Sequence, residues 1–338
     1  MRILLAICLA LAAAWAGYWF IGSGAVKSGI AAWFDARRAE GWVAEYSDLT
    51  VQGFPSRFDT TLTEPRLSDP SSGLGWQAPF LQLLTLSYTP NHVIAVWPNT
   101  QDVSGPQGTY TLTSSDMRAS LIVAASTSLA PKRATLTAAD LSWAPSTGGD
   151  AASMAALRLA AERIEDAPGS GDARYHLGLA ADDLAPPADL LAIANAADTQ
   201  PRVIDSLTAD ITVDFTAPWD RTAIEEVRPQ PTRIDITRLT ASWGAMTLEA
   251  SGTLDVDARG LPEGMMTLKA RNWRDMLALA QDTGALTPDA ASMADRALGM
   301  VATASGDDKT LEMPLRFEGG QIWLGPMPIA DAPVLRFQ

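Results

Sequence analysis

The sequence predicts a mainly β fold with minor α content: an N-terminal transmembrane helix, then an antiparallel β-sheet body carrying a few short helices. Three observations predict it. Residues 3–21 contain no charged side chain. Apolar and polar residues alternate with period two through 206–216, 246–257 and 311–317. Glycine- and proline-bearing turns separate such segments at hairpin spacing.

The composition narrows the function classes. The 338 residues carry a net charge of −14, which opposes phosphate-backbone binding and excludes nucleic acid as an expected partner. A single cysteine rules out a disulfide scaffold and a cysteine-based zinc cluster. Two histidines leave little for a histidine-rich metal centre. Hydrophobic residues at 47% are enough to build a core.

Taken in chain order, residues 1–24 read as the anchor. A helix over 3–21 rises about 28 Å, close to the hydrocarbon thickness of a bilayer. Trp15, Tyr18, Trp19 and Phe20 crowd its far end, where amphipathic rings favour the headgroup level. Arg2 marks the near end as cytoplasmic, although Lys27, Arg37 and Arg38 weaken that asymmetry. A cleaved signal peptide is the competing reading, with Ala14-Trp15-Ala16 as its cleavage site. The apolar run passes the usual length of a signal-peptide core and so favours an uncleaved anchor. Either reading exports the body. Cys8 lies within the span, behind Ile7 where lipidation needs a small residue, and reads as an apolar helix residue.

After Gly22-Ser23-Gly24, residues 25–40 form an amphipathic connecting helix whose stripe is Val26, Ile30, Trp33, Phe34 and Arg37. That stripe rests on the membrane surface or on the first strands. An N-terminal β-rich part over 41–200 follows, with strands expected at 49–52, 57–67, 80–88, 92–97, 108–113, 118–125, 134–143 and 173–179. Residues 154–164 fit both periods, and 174–179 offers them a partner, so they read as strand. Proline-led 187–197 reads as a helix.

A C-terminal β-rich part over 201–338 carries the clearest alternation. Leu207, Ala209, Ile211, Val213 and Phe215 face one way, and Met246, Leu248, Ala250, Gly252 and Leu254 repeat the pattern. One face is therefore apolar and the other wet. Phe215, Leu248, Leu254, Leu268 and Leu315 mark the apolar face. A helical insertion at 272–303 interrupts it, with Asn272 capping a helix to residue 281. A second helix follows from Pro288, with an apolar stripe of Met293, Ala297, Met300 and Val301.

No catalytic, cofactor-binding or metal-ligating set emerges, and no enzymatic activity is expected. Residues 73–78 match the letters of a dinucleotide fingerprint, but Pro79 and a strand-like run follow where a helix is required. Residues 255–260 begin like a calcium loop, yet its fifth and twelfth positions are Arg259 and Met266. His92 and His176 both fall in strand-like segments without a neighbouring nucleophile. Among the eleven tryptophans, core packing is the ordinary role, and an acyl-lined groove or a headgroup contact is the functional one.

The segments Gly41-Trp42, 49–55 (Leu-Thr-Val-Gln-Gly-Phe-Pro), 76–79 (Trp-Gln-Ala-Pro) and 92–98 (His-Val-Ile-Ala-Val-Trp-Pro) resemble an uncharacterised bacterial family. It is the domain-of-unknown-function family 2125, found largely in alphaproteobacteria. Gly252, Asp257, 260–264 (Gly-Leu-Pro-Glu-Gly) and 324–328 (Leu-Gly-Pro-Met-Pro) extend the resemblance over nearly all of the exported chain. It implies a membrane-anchored envelope protein and carries over no catalytic residues. A looser similarity to AsmA-like proteins implies an extended, curved β-body in the periplasm and a link to lipid movement. The resulting expectation is a single-pass inner-membrane protein, N-terminus inside, that binds or shields membrane lipid along an apolar sheet face. A scaffold that contacts other envelope proteins is the alternative. An envelope hydrolase would need polar residues converging on His92 or His176.

Overall fold

A computed structural model describes residues 1–126, 128–165, 173–187, 202–220, 223, 227–282, 284–304 and 307–337. Strand accounts for 53% of the chain and helix for 21%, so the fold is mainly antiparallel β. The expected helix at 187–197 and the boundary expected at 200/201 fall almost wholly outside the described residues. The chain forms two compact units: residues 1–125 with 136–149, and residues 126–135 with 150–338.

The first unit begins with α1 (Arg2–Ala39), one uninterrupted helix. The anchor expected over 1–24 and the connecting helix expected over 25–40 are one continuous helix through Gly22-Ser23-Gly24. Gly22 is a packing site: a Cβ there would stand 2.7 Å from the Phe58 ring. The glycine lets that ring lie against the helix, and this contact offsets its weak helix propensity. Farther along, Ile30 and Phe34 pack with Ala44, Leu49 and Leu62, so the stripe of the connecting segment rests on the first strands.

Five long β-ribbons follow, each interrupted near its middle. They are β1 (Val43–Glu45) with β2 (Asp48–Gln52), β3 (Arg57–Thr63) with β4 (Arg66–Asp69), and β5 (Leu74–Gln77) with β6 (Phe80–Leu86). Then come β7 (Thr89–Val96) with β8 (Thr100–Gly105), and β9 (Gly108–Thr113) with β10 (Asp116–Val123). One half of the ribbons pairs in the order β2-β3-β6-β7-β10. The other half pairs as β1-β4-β5-β8-β9, extended by β11 (Pro131–Pro145).

The interruptions line up. Glu64-Pro65, Ala78-Pro79 and Trp97–Asn99 sit side by side, joined by Glu64 N–H to Pro79 O (2.8 Å) and Ala78 N–H to Pro65 O (3.2 Å). Proline has no N–H for the ladder, so a row of prolines on neighbouring ribbons makes a crease across the sheet. Glu64 sits there in the left-handed region at φ 48°.

The second unit is a nine-strand antiparallel meander in chain order. It comprises β12 (Ala152–Arg163), β13 (Arg174–Leu184), β14 (Ile204–Phe215), β15 (Pro231–Trp243), β16 (Met246–Val256), β17 (Pro262–Arg271), β18 (Thr310–Glu318), β19 (Gln321–Leu324) and β20 (Met327–Asp331). Between β17 and β18 lie α2 (Trp273–Asp282) and α3 (Pro288–Ala304).

A bulge in β15 between Ile236 and Leu239 explains an irregularity in its sequence. Apolar residues sit at even positions before it (Ile234, Ile236) and odd positions after it (Leu239, Ala241). One extra residue restores the same face to the core side. The opposite face is wet and charged. Arg174 donates two hydrogen bonds to Asp214 at 2.5 and 2.6 Å, and Arg233 reaches Asp255 at 3.1 Å.

Candidate functional site

Residues directly opposite each other on antiparallel strands share a face. Reading the register across β12–β19 therefore lays out the apolar face row by row. One row runs Leu159, Leu179, Ala209, Leu239, Ala250, Leu268 and Met313. Its neighbour runs Leu177, Ile211, Ile236, Gly252, Met266, Leu315 and Leu324. A third runs Tyr175, Val213, Ile234, Leu254, Gly264, Phe317 and Ile322. The last runs Ala181, Leu207, Ala241, Leu248, Ala270 and Leu311.

The two ends of this face are covered. At one end α2 and α3 close over it, with Trp273, Ala302, Ala270 and Leu311 buried together. At the other end the C-terminal segment lies across it. Ala332 joins the cluster of Ile236, Leu254, Leu315 and Phe317. Leu335 donates its N–H to Gly260 O at 2.7 Å. The Gln230 side chain makes reciprocal bonds to the backbone of Phe337 at 2.9 and 3.0 Å. The Phe337 ring meets Phe215 and Trp219.

Between these covers the face stays partly open. Leu177, Leu179, Ala209, Ile211, Leu239 and Ala250 are half-buried, and Leu248 is 37% exposed. The face holds no charged residue in these four rows, so an acyl chain laid there meets hydrocarbon throughout. Each CH₂ removed from water is worth about 0.8 kcal/mol.

The five marker residues separate. Leu254, Leu268 and Leu315 come together in one cluster. Phe215 belongs to a second with Tyr175 and Val213, and Leu248 lies at the open edge. Sequence reasoning missed Leu177, Leu179 and Met266. The parity change in β15 was the available signal, and it is readable only once strand pairing is known.

In the first unit, the rings expected at headgroup level also dock on the body. Trp15 Nε1 donates to Pro55 O (2.9 Å), Tyr18 Oη to Ser87 O (2.6 Å) and Trp19 Nε1 to Arg57 O (2.7 Å). Phe20 stacks on Phe54. At the crease, Glu45, Glu64, Arg66, Gln77 and Asp102, together with Pro65, Ala78 and Pro79, line an open cavity of mixed polarity, about 480 Å³. Trp76 Nε1 donates to Gln101 at 2.6 Å, and Gln77 Nε2 to Asp102 at 3.0 Å. These are structural bonds between neighbouring strands.

The remaining sequence features settle into turns and ladders. His92 Nε2 meets Ser120 Oγ at 2.8 Å, and His176 Nε2 meets Asp210 at 2.8 Å. Among the described residues each is a two-member cross-strand contact, without the third group that would orient a catalytic base. Residues 74–77 form strand β5, and β6 rather than a helix follows, so the dinucleotide fingerprint lacks its structural context. Asp257 is a turn residue: the Leu261 N–H first, and Arg259 with it, holds its carboxylate below the usual range. Among the described residues no three metal-ligating side chains converge.

No curated protein and no solved structure matches the chain. The family described as "uncharacterized protein conserved in bacteria (DUF2125)" matches residues 19–333, which takes in both β-units and the helix from Trp19 onward. The chain belongs to this DUF2125 family.

Proposed function

We propose that this is a non-enzymatic, single-pass inner-membrane protein, N-terminus in the cytoplasm and body in the periplasm, which binds or shields membrane lipid along the apolar face of its second unit. The observation that carries the reading is the partly open stretch of that face. Four apolar rows cross at least six strands each. Beyond the part packed under Ala332, the side chains of Leu177, Leu179, Ala209, Leu239 and Ala250 are only half-buried and Leu248 is 37% exposed. A soluble domain rarely leaves so continuous an apolar surface without a ligand for it. The helix over residues 3–21 supplies the tether, and its length suits a bilayer.

Lipid mass spectrometry on full-length protein purified from membranes in mild detergent tests this. Wild type is expected to carry phospholipid or fatty acid. Leu179→Glu with Leu248→Glu is expected to lose it by at least about tenfold, because a carboxylate against the chain costs more than the roughly 1.4 kcal/mol that a factor of ten represents. A lipid-free wild type, or unchanged lipid in the variant, overturns the reading.

One observation favours a second reading, a scaffold for other envelope proteins. Met293 and Met300 on α3 face outward at 66% and 71% exposure, with Ala297 exposed between them. Such a stripe suits a protein surface better than solvent.

A further inference from the structure

An anchor helix normally leaves its body free to ride above the membrane on a linker. Here there is none. Helix α1 passes without interruption from the apolar span into the body, and the body is already in contact with it at Trp15. If residues 3–21 fill a hydrocarbon core of about 30 Å, Trp15 lies roughly 9 Å below the outer edge of that core and Phe20 close to the edge. The loop tips that touch these residues are therefore carried to the same depth.

We propose that the two loop tips at residues 53–56 and 87–88 form a second membrane contact, wedged into the outer leaflet beside the anchor from headgroup level into the outer part of the hydrocarbon core. This rests on the anchor reading and goes beyond it. Phe54 and Tyr88, at the tips, are 54% and 61% exposed, and Leu86 stands beside them. Phe54 stacks on Phe20, so the exposed rings continue the aromatic surface of the helix itself.

A second observation agrees with a water-poor setting. The carbonyls of Pro55 and Ser87 in the tips, and of Arg57 beside the first, each accept a hydrogen bond from an aromatic side chain of α1. Backbone groups entering the hydrocarbon need such partners, since water is not there to supply them. Charge then sets the depth. Arg57 and Asp59 pair at 3.0 Å at the start of β3, directly beside the tip, and they keep that side of the wedge at headgroup level. The first unit is thereby fixed in orientation to the bilayer, with the turn at Pro106-Gln107, at the far end of its ribbons, directed away.

The test uses full-length protein in phosphatidylcholine–phosphatidylglycerol vesicles, labelled one site at a time with an environment-sensitive nitrobenzoxadiazole probe. Native Cys8 reports the anchor. Phe54→Cys, Tyr88→Cys and Gln107→Cys, each on a Cys8→Ser background, report the two tips and the far turn. Each tip probe leaves the other tip's ring in place. Probes at 54 and 88 are expected to emit to the blue of the probe at 107, with at least about twofold stronger quenching by doxyl-labelled lipid, as befits interfacial insertion. A buried probe at Cys8 with tip probes indistinguishable from 107 overturns the wedge and leaves the anchor standing. A water-exposed probe at Cys8 overturns the anchor reading and the wedge with it.

Discussion

Gly252→Ala is expected to destabilise the second unit by about 3 kcal/mol, at the upper end of the usual range for single substitutions. Gly252 has φ +156°, and a Cβ there would overlap the Met265 carbonyl oxygen and stand 2.6 Å from the Met266 Cα. Both are backbone atoms of the neighbouring strand, so no side-chain rotation relieves the clash. Relief requires β16 and β17 to part, and that breaks their ladder. Gly264, on the facing strand two register pairs away, has φ +147°, and its Cβ would meet the Thr253 carbonyl oxygen in the same way. The two glycines let β16 and β17 approach closely. They also leave gaps in the apolar rows, over which Leu254 and Phe317, separated by Gly264, pack in one cluster. Thermal unfolding of Gly252→Ala is expected to shift down by about 6–12 °C. A shift under one degree would show that the strands tolerate a side chain there and that the close approach is incidental.

Phe34→Ala is expected to cost about 3–4 kcal/mol, the range for emptying a buried aromatic site. Phe34 is 3% exposed and anchors the body half of α1 against Ala44, Leu49 and Leu62. Its ring also meets Tyr46 edge-on at 4.9 Å. The loss falls on one helix–sheet contact, so local undocking of the helix end should precede global unfolding. Trypsin reports it directly: at low protease, where opening and reclosing outpace cleavage, cutting after Arg37 and Arg38 is expected to accelerate by about a few hundredfold, since 1.4 kcal/mol is a factor of ten. Unchanged cleavage would mean that the helix is held elsewhere, at the Trp19–Phe58 contact.

The second unit was the more legible in sequence because its sheet has one wet face. Thr, Asp, Arg and Ser fill alternate positions there, so period two stands out over whole strands. The first unit hid its short strands. Strands β1, β5 and β8 escaped notice because three to six residues beside a turn carry little period, and because prolines 65, 79 and 98 interrupt ribbons that pairing makes continuous. Gly22 misled for a related reason. Its composition reads as a break, whereas the Phe58 ring lying on it is a tertiary fact. The face of the candidate site was visible strand by strand, through Leu254, Leu268 and Leu315. Its continuity through Leu177, Leu179 and Leu239 depends on register, which the β15 bulge shifts by one residue. The covers over its ends are long-range contacts, Phe337 on Phe215 above all, and no local pattern announces them.

Both the tether and the lipid-facing sheet enter the functional reading, and one measurement separates them. Full-length protein in membranes containing a phospholipid with a diazirine near the acyl terminus is irradiated, and the adducts are mapped by peptide mass spectrometry. Adducts are predicted on two groups of peptides: those of α1, and those of β13–β15 that carry Leu179, Ala209 and Leu239. Adducts confined to α1 would contradict the account, since they would leave a membrane-tethered protein whose sheet never meets an acyl chain.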